Sequence, residues 1–301
     1  MLHTVGIAGI TGNVGAPTTK SLIQAAGEGK INLIIFHRAS TDLTGLSTAT
    51  NKRSENVEFR VLEFADPPAK IAEVVRGVNI FISAVGFPAL PSEPNLVDGL
   101  ALSPDLVTYI PSVYSTTWTE RDFGDPRLGA VLAFLHGGWE RAREKGVGVT
   151  AVYTGVFELF WFQLGFVGAP IKENIIWANE KQMQNRVPIT AIEHLAQALT
   201  RIACADPQSI KNKEYSVVPF WPTGNELKEL YTKINGQQAQ VKEFTPADRE
   251  AQMADAADFG PAKAGYWEKW ESGVWGYEAE GRISDREYGG PGLEEIARSF
   301  A

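Results

Sequence analysis

Two patterns alternate along the first half of the chain. Short apolar runs rich in β-formers occur at 5–8, 31–36, 57–62, 79–85 and 106–110. Amphipathic stretches separate most of them, at 17–26, 67–76 and 94–102. Strand and helix in repeated alternation predict a parallel sheet covered on both faces. The triplet Asp66-Pro67-Pro68 predicts a helix start, with the acid as N-cap and proline in the first turn. A long helix is predicted over 128–145 and a further strand over 147–153. After Thr154 the alternation loosens and aromatic residues become dense: Phe157, Phe160, Trp161, Phe162, Phe166 and Trp177. Helices are still legible at 191–205 and 224–234, and the tail over 259–288 gathers Tyr266, Trp267, Trp270, Trp275 and Tyr277 among glycines. There is no repeat and no linker. The expected fold class is α/β: a doubly wound parallel sheet of the Rossmann type over 1–155. A smaller α+β substrate domain over 156–301 is expected to follow, with parts of 185–220 returning to the sheet.

The first strand runs straight into Ile7-Ala8-Gly9-Ile10-Thr11-Gly12-Asn13-Val14-Gly15-Ala16-Pro17, three glycines spaced three apart. Between a strand and a helix, such a loop predicts a dinucleotide site. The first glycine allows the tight turn, the second lets the backbone approach a pyrophosphate, and the third lets the helix pack on the strand. The helix N-terminus then offers free N–H groups and a partial positive charge to the phosphates. The spacing is GxxGxxG rather than GxGxxG; the structural alternative is a turn that serves packing alone. The end of the second strand reads Ile34-Ile35-Phe36-His37-Arg38-Ala39-Ser40, without the acid that accepts from a ribose 2′-OH. Arg38, with a hydroxyl from Ser40, suits a 2′-phosphate instead, so NADP(H) is expected rather than NAD(H).

Composition narrows the function classes. The net charge of −8 and the absence of a Lys/Arg block argue against a nucleic-acid partner. One cysteine, Cys204, excludes an intramolecular disulfide, and no Asn-x-Ser/Thr acceptor occurs; both suit a reducing, cytoplasmic setting. The most apolar stretch, 154–170, is interrupted by Glu158 and Gln163 and is too short to span a bilayer, so it reads as buried pocket wall. The four histidines are scattered and no G-x-S-x-G occurs, so neither a metal site nor a serine hydrolase is expected.

Several segments together resemble the NmrA-like and isoflavone-reductase-like branch of the atypical short-chain dehydrogenases. They are Gly9–Gly15, His37–Ser40, Ile82–Gly86, Tyr109–Tyr114, Gly146–Phe157, Ile189–Leu199 and Gly224–Leu230. The resemblance runs to about Leu230. It implies a Rossmann domain, a smaller substrate domain and NADP(H). It also implies that Gly9, Thr11, Gly12, Asn13 and Val14 lie around the pyrophosphate and Arg38 at the 2′-phosphate. Val85, Gly86 and Phe87 would lie along the nicotinamide-side ribose, Pro111 and Ser112 at the nicotinamide edge, and Gly155, Val156 and Phe157 on its other side.

The chain departs from the family at the catalytic positions. No tyrosine has a lysine four residues on, and the lysine that the related reductases carry on the long helix aligns with Leu135 or His136. His136 is therefore a candidate acid or base, its alternative being a structural histidine. Gly137 and Gly138 beside it suggest either a late helix start or a surface for close approach. Tyr114, where the family commonly has a phenylalanine after glutamate, is a candidate donor to substrate or a pocket wall. Phe157, Phe160 and Trp161 are candidate substrate walls. Glu158 would cap a helix or meet a cationic substrate. Two functions are consistent with this pattern. One is an NADPH-dependent reductase of a bulky apolar metabolite (imine, enal or enone), in secondary metabolism, with reduction coupled to cyclisation as a variant. The other is a non-catalytic NADP(H)-binding regulator of the NmrA kind.

Overall fold

The structure is a computed structural model and describes residues 2–44, 54–168, 170–255, 259–278, 282–285 and 288–301; the predicted tail over 259–288 thus falls partly outside the described residues. The chain divides into two compact units, each assembled from three segments. The first comprises Met1–Tyr114, Phe134–Val152 and Leu195–Tyr215; the second comprises Ser115–Ala133, Tyr153–His194 and Ser216–Ala301.

The first unit is built on a parallel sheet. Its strands are β1 (Thr4–Ala8), β2 (Asn32–His37), β3 (Val57–Val61), β4 (Ile80–Ser83) and β5 (Thr108–Ile110), in the order β3-β2-β1-β4-β5. The pairing registers include Val5 opposite Leu33 and Ile80. Beyond β5, the Tyr109 amide donates to Gly148 O at 2.8 Å and the Thr150 amide to Tyr109 O at 2.9 Å. The segment leading into β6 (Ala151–Thr154) therefore takes the sixth place, and Ala151 N in turn bonds Lys213 O at 2.9 Å. The order reverses between β1 and β4, which is the Rossmann arrangement. Central strands such as β4 are buried at every position because both faces are covered.

The covering helices are α1 (Gly15–Gly27), α2 (Pro68–Val74), α3 (Glu93–Leu100), the second half of α4 (Leu128–Glu144) and most of α5 (Ile192–Cys204). Phe36 and Phe81 stack at 5.3 Å in the core beneath them. One local expectation changes. The N-cap of α2 is Pro67 and has no side-chain cap; Asp66 instead pairs with Lys70 at 3.0 Å. A half-buried carboxylate one position too early finds the i+4 ammonium more readily than the amides of the first turn.

The second unit has little regular sheet. Strands β7 (Val156–Phe157) and β9 (Ile189–Thr190) pair in parallel, as do β8 (Ile175–Trp177) and β11 (Gln240–Lys242), which lies beyond β10 (Glu214–Val217) in the chain. Its helices include α6 (Gly224–Asn235) and α7 (Gly260–Ser272). A Thr223–Glu226 capping box starts α6 and Gly236, with φ of 68°, ends it. Aromatic packing replaces the missing ladders: Trp161 meets Trp270 edge-on at 5.4 Å and Phe244 stacks on Trp267 at 3.9 Å. Among the described residues no helix is long and apolar enough to cross a membrane.

Candidate functional site

The glycine loop joins β1 to α1, and its three glycines have separate reasons. Gly9 turns the chain at φ of 87°, where a Cβ would run into the Ala84 carbonyl. A Cβ on Gly15 would strike the Gly9 carbonyl, so the helix could not seat on the strand. Gly12 is different. It has no positive φ, and a Cβ there would stand 3.4 and 3.5 Å from the Gly9 and Ala84 carbonyls, about ordinary packing distance. Nothing within the protein demands a glycine at this position, whereas a ligand lying against the loop would. The helix start agrees: α1 has no side-chain cap and no acid in its first turn. Thr11 and Asn13 are exposed and Val14 half-buried, so the loop faces outward. A phosphate fits such a start both by hydrogen bonding and by the helix dipole.

Arg38, Ala39 and Ser40 lie exposed where β2 ends. The Arg38 carbonyl is held by His37 Nδ1 at 3.0 Å and by the Thr41 amide at 3.0 Å, which fixes the backbone and leaves the guanidinium facing solvent. A residue missed by sequence reasoning also reaches this turn: Glu63, after β3, accepts from the Ala39 amide at 2.9 Å. Its carboxylate is thereby held at the main chain of the residue that follows Arg38.

Past β4, Val85 is half-buried, Gly86 and Phe87 are exposed, and Ser112 Oγ donates to Val85 O at 2.8 Å. Pro111 is buried. The Ser112 bond ties the loops after β4 and β5 together.

The two candidate catalytic groups are otherwise engaged. Tyr114 gives its single proton to Ser83 O at 2.7 Å, and burial holds the phenol far above its ordinary pKa. That bond ties the segment after β5 to the end of β4. His136 is 5% exposed on α4, stacked on Trp139 at 5.5 Å, and burial lowers its pKa to about 4. It is neutral at pH 7.

The adjacent glycine pair has a reason that the sequence hid. Helix α4 starts at Leu128, well before it, so a late start is excluded. A Cβ on Gly138 would lie 2.7 Å from Glu93 Oε2, so that glycine makes room for a carboxyl group. Glu93 is wholly buried and its Oε1 accepts from Tyr109 Oη at 2.9 Å. Burial pushes the Glu93 pKa up, opposed by the hydroxyls around it. Its only sequence signal is an acid at the opening of α3, a place where exposed acids are ordinary.

In the second unit, Gly155 N donates to Thr190 Oγ1 at 2.9 Å, and a Cβ on Gly155 would meet Pro188. Phe157 pairs opposite Thr190 and its ring lies 6.0 Å from Phe160, which lies 5.8 Å from Phe166. Phe160 remains half-buried, on a π-helical turn, Leu159–Gln163, of the kind that often marks functional sites. Trp161 is 1% exposed and packs edge-on against Trp270. Glu158 caps a helix. Both its oxygens accept from the first amide of α5, Ile192 N, at 3.0 Å. Burial nevertheless raises its pKa to about 7.

Neither a protein-family model nor a curated protein matches the chain by sequence. Solved structures do match in shape. A structure of pinoresinol-lariciresinol and phenylcoumaran benzylic ether reductases aligns with a TM-score of 0.75 at 12% identity, covering 100% of both chains. The leucoanthocyanidin reductase of Vitis vinifera in complex with NADPH aligns at 0.70 and 14% identity, over 93% of this chain and 92% of that one. The Citrobacter sp. triphenylmethane reductase complexed with NADP(H) aligns at 0.66 and 14% identity, over 99% and 100%. With an outward-facing glycine loop at the reversal of a 3-2-1-4-5 parallel sheet, the chain has the fold of the isoflavone-reductase-like reductases.

Proposed function

We propose that this protein is an NADPH-dependent reductase of a bulky, apolar small metabolite, an imine, enal or enone. The observation that carries the reading is Gly12, a glycine that the protein's own packing does not require, at the uncapped start of α1. The fold neighbours that hold NADPH or NADP(H) support it. Gly9, Thr11, Gly12, Asn13 and Val14 would hold the pyrophosphate, and Arg38 and Ser40 the 2′-phosphate. Val85, Gly86, Phe87, Pro111 and Ser112 would flank the nicotinamide end, to which the family resemblance also assigns Phe157. The bound dinucleotide supplies a hydride. The protein binds and orients it and excludes water. A secondary-metabolite setting, and a cyclisation after reduction, belong to the same reading.

A second reading has its own observation. Tyr114 is committed to Ser83, and His136 is buried with a pKa of about 4. A non-catalytic NADP(H)-binding regulator needs no proton donor at either position. One experiment separates the two. NADPH binding is measured by fluorescence, and NADPH oxidation is followed in host extracts with wild type and His136→Ala. Binding with oxidation supports the reductase; a drop of about 10²–10⁴-fold in the variant assigns the proton to His136. Binding without oxidation supports the regulator, and absence of binding overturns both.

A further inference from the structure

The second unit contains a group of hydroxyls that its own hydrogen bonds leave incomplete. Tyr266, on α7, is boxed by Trp118 edge-on at 5.3 Å, Phe166 edge-on at 5.7 Å and Trp275 at 6.3 Å. Its oxygen accepts from the Thr116 amide at 3.2 Å. Among the described residues nothing accepts its proton. Beside it, Tyr277 donates to Thr154 O at 2.6 Å, and Thr154 N donates to Ser115 O at 2.9 Å, which brings Ser115 and Thr154 together. Thr116 and Thr154 are both wholly buried, and Oγ1 of each has no hydrogen-bond partner among the described residues. The Thr116 side chain lies next to the Tyr277 phenol and acts on it as a hydrogen-bonding neighbour, lowering its pKa against the larger rise from burial.

A buried hydroxyl without a partner costs about 1–3 kcal/mol, and native proteins leave few of them. Two such hydroxyls beside a phenol whose proton has no acceptor among the described residues, walled by indole and phenyl rings, match the makeup of a ligand site: mostly apolar, with a few converging polar groups. The geometry also fixes what the site offers. The Thr116 amide occupies the Tyr266 oxygen, so that hydroxyl is left as a donor. A donor inside an aromatic box selects an aromatic or similarly flat molecule that carries an accepting oxygen.

We propose that Tyr266 is a substrate-binding residue, whose hydroxyl donates to the carbonyl oxygen of an aryl enal or enone held among Trp118, Phe160 and Phe166. This deepens the reductase reading and rests on it for the identity of the ligand as substrate. It also gives the aromatic tail a role: α7 supplies the recognition group that the chain's catalytic-position residues do not.

The test uses two probes with one carbon skeleton, cinnamaldehyde and propenylbenzene, which differ by the carbonyl oxygen. Each is titrated into the full chain by quenching of tryptophan fluorescence, and NADPH affinity is measured in parallel. In the wild type, cinnamaldehyde binds saturably and more tightly than propenylbenzene. Tyr266→Phe weakens cinnamaldehyde about three- to tenfold, the size of one neutral hydrogen bond. It leaves propenylbenzene and NADPH unchanged. Thr116→Val keeps the main-chain amide and the side-chain shape, and reads the same contrast should Tyr266→Phe not fold. Equal affinity of the wild type for both probes, or an equal loss for both in the variants, overturns the proposal, because the hydroxyls then hold water or nothing. Absence of saturable cinnamaldehyde binding overturns it as well. Failure of NADPH to bind while the probe contrast persists overturns the dinucleotide reading, and with it the ligand's identity as substrate, and leaves Tyr266 as the donor of an aryl-carbonyl site.

Discussion

The glycine loop of the first unit and the hydroxyl box of the second present polar groups in opposite ways. The loop uses main-chain amides over Gly9–Gly15, neighbours in sequence, held in shape by the close approaches at its first and last glycines. The box uses side chains at 116, 154, 266 and 277, brought together from three distant segments. Backbone recognition is compact in sequence and tolerant of everything outside the motif. Side-chain recognition depends on the whole unit folding first. The same contrast separates the two buried acids: Glu93 receives a hydroxyl in a packed core, whereas Glu158 receives an amide of a helix start in a looser one.

The largest effect tests whether glycines in one motif have different duties. Gly15→Val is expected to cost about 4 kcal/mol or more and prevent folding, since its branched side chain meets the Gly9 carbonyl. Gly12→Val is expected to fold and to lose dinucleotide binding. Circular dichroism and NADPH titration of the two variants check this; a folded Gly12→Val that still binds NADPH reduces the loop to a packing turn.

Glu158 comes next. Its folded pKa, about 7, lies above the ordinary value of 4.5 chiefly because it is buried, with a smaller push from the Glu193 charge. The raised value means that its contribution to stability is complete below about pH 4.5 and is lost as pH climbs through 7. The loss is on the order of 3 kcal/mol. Tyr288 faces the same carboxylate, and its own pKa is raised by burial, so it stays neutral throughout this range. Glu158→Gln should flatten the pH dependence of the unfolding midpoint between about pH 4.5 and 7. An unchanged slope would assign it to another group.

Arg38→Glu is expected to lower NADPH affinity roughly 10- to 100-fold, since one charge-assisted hydrogen bond to the 2′-phosphate disappears, with little change for NADH. Glu63→Gln works the other way and should favour NADPH about two- to threefold at most, since it removes a negative charge held at the Ala39 amide, one residue along the chain from Arg38. Equal wild-type affinity for the two dinucleotides would remove Arg38 from the site.

The smallest effect concerns Glu93. Glu93→Gln keeps an oxygen to accept from Tyr109 Oη and should shift stability by less than about 1 kcal/mol. Glu93→Ala, which strands the Tyr109 hydroxyl, should cost about 2–5 kcal/mol. Equal losses in thermal melts would show that a carboxamide does not replace the carboxyl group beside Tyr109.

What sequence alone determined follows the range of the forces involved. The alternation of strands and helices, the glycine loop, the missing acid after β2 and the extent of α4 all depend on residues within a few positions of one another. Periodicity and local sterics write them directly into the chain. Even Glu158 could be read as a cap, because an unpaired carboxylate among apolar residues has few other ways to be buried. Other features depend on partners far away. Nothing near Gly138 announces that Glu93, on a different helix, fills the space beside it. Nothing near Tyr114 says that its proton goes to Ser83, or near Trp161 that Trp270 seals it into the core. The same holds for Tyr266 and Thr116, 150 residues apart. Hydrogen-bond commitment and burial belong to pairs, and only the tertiary structure chooses the pairs. It thereby decided which of the chain's polar groups are spent on the fold.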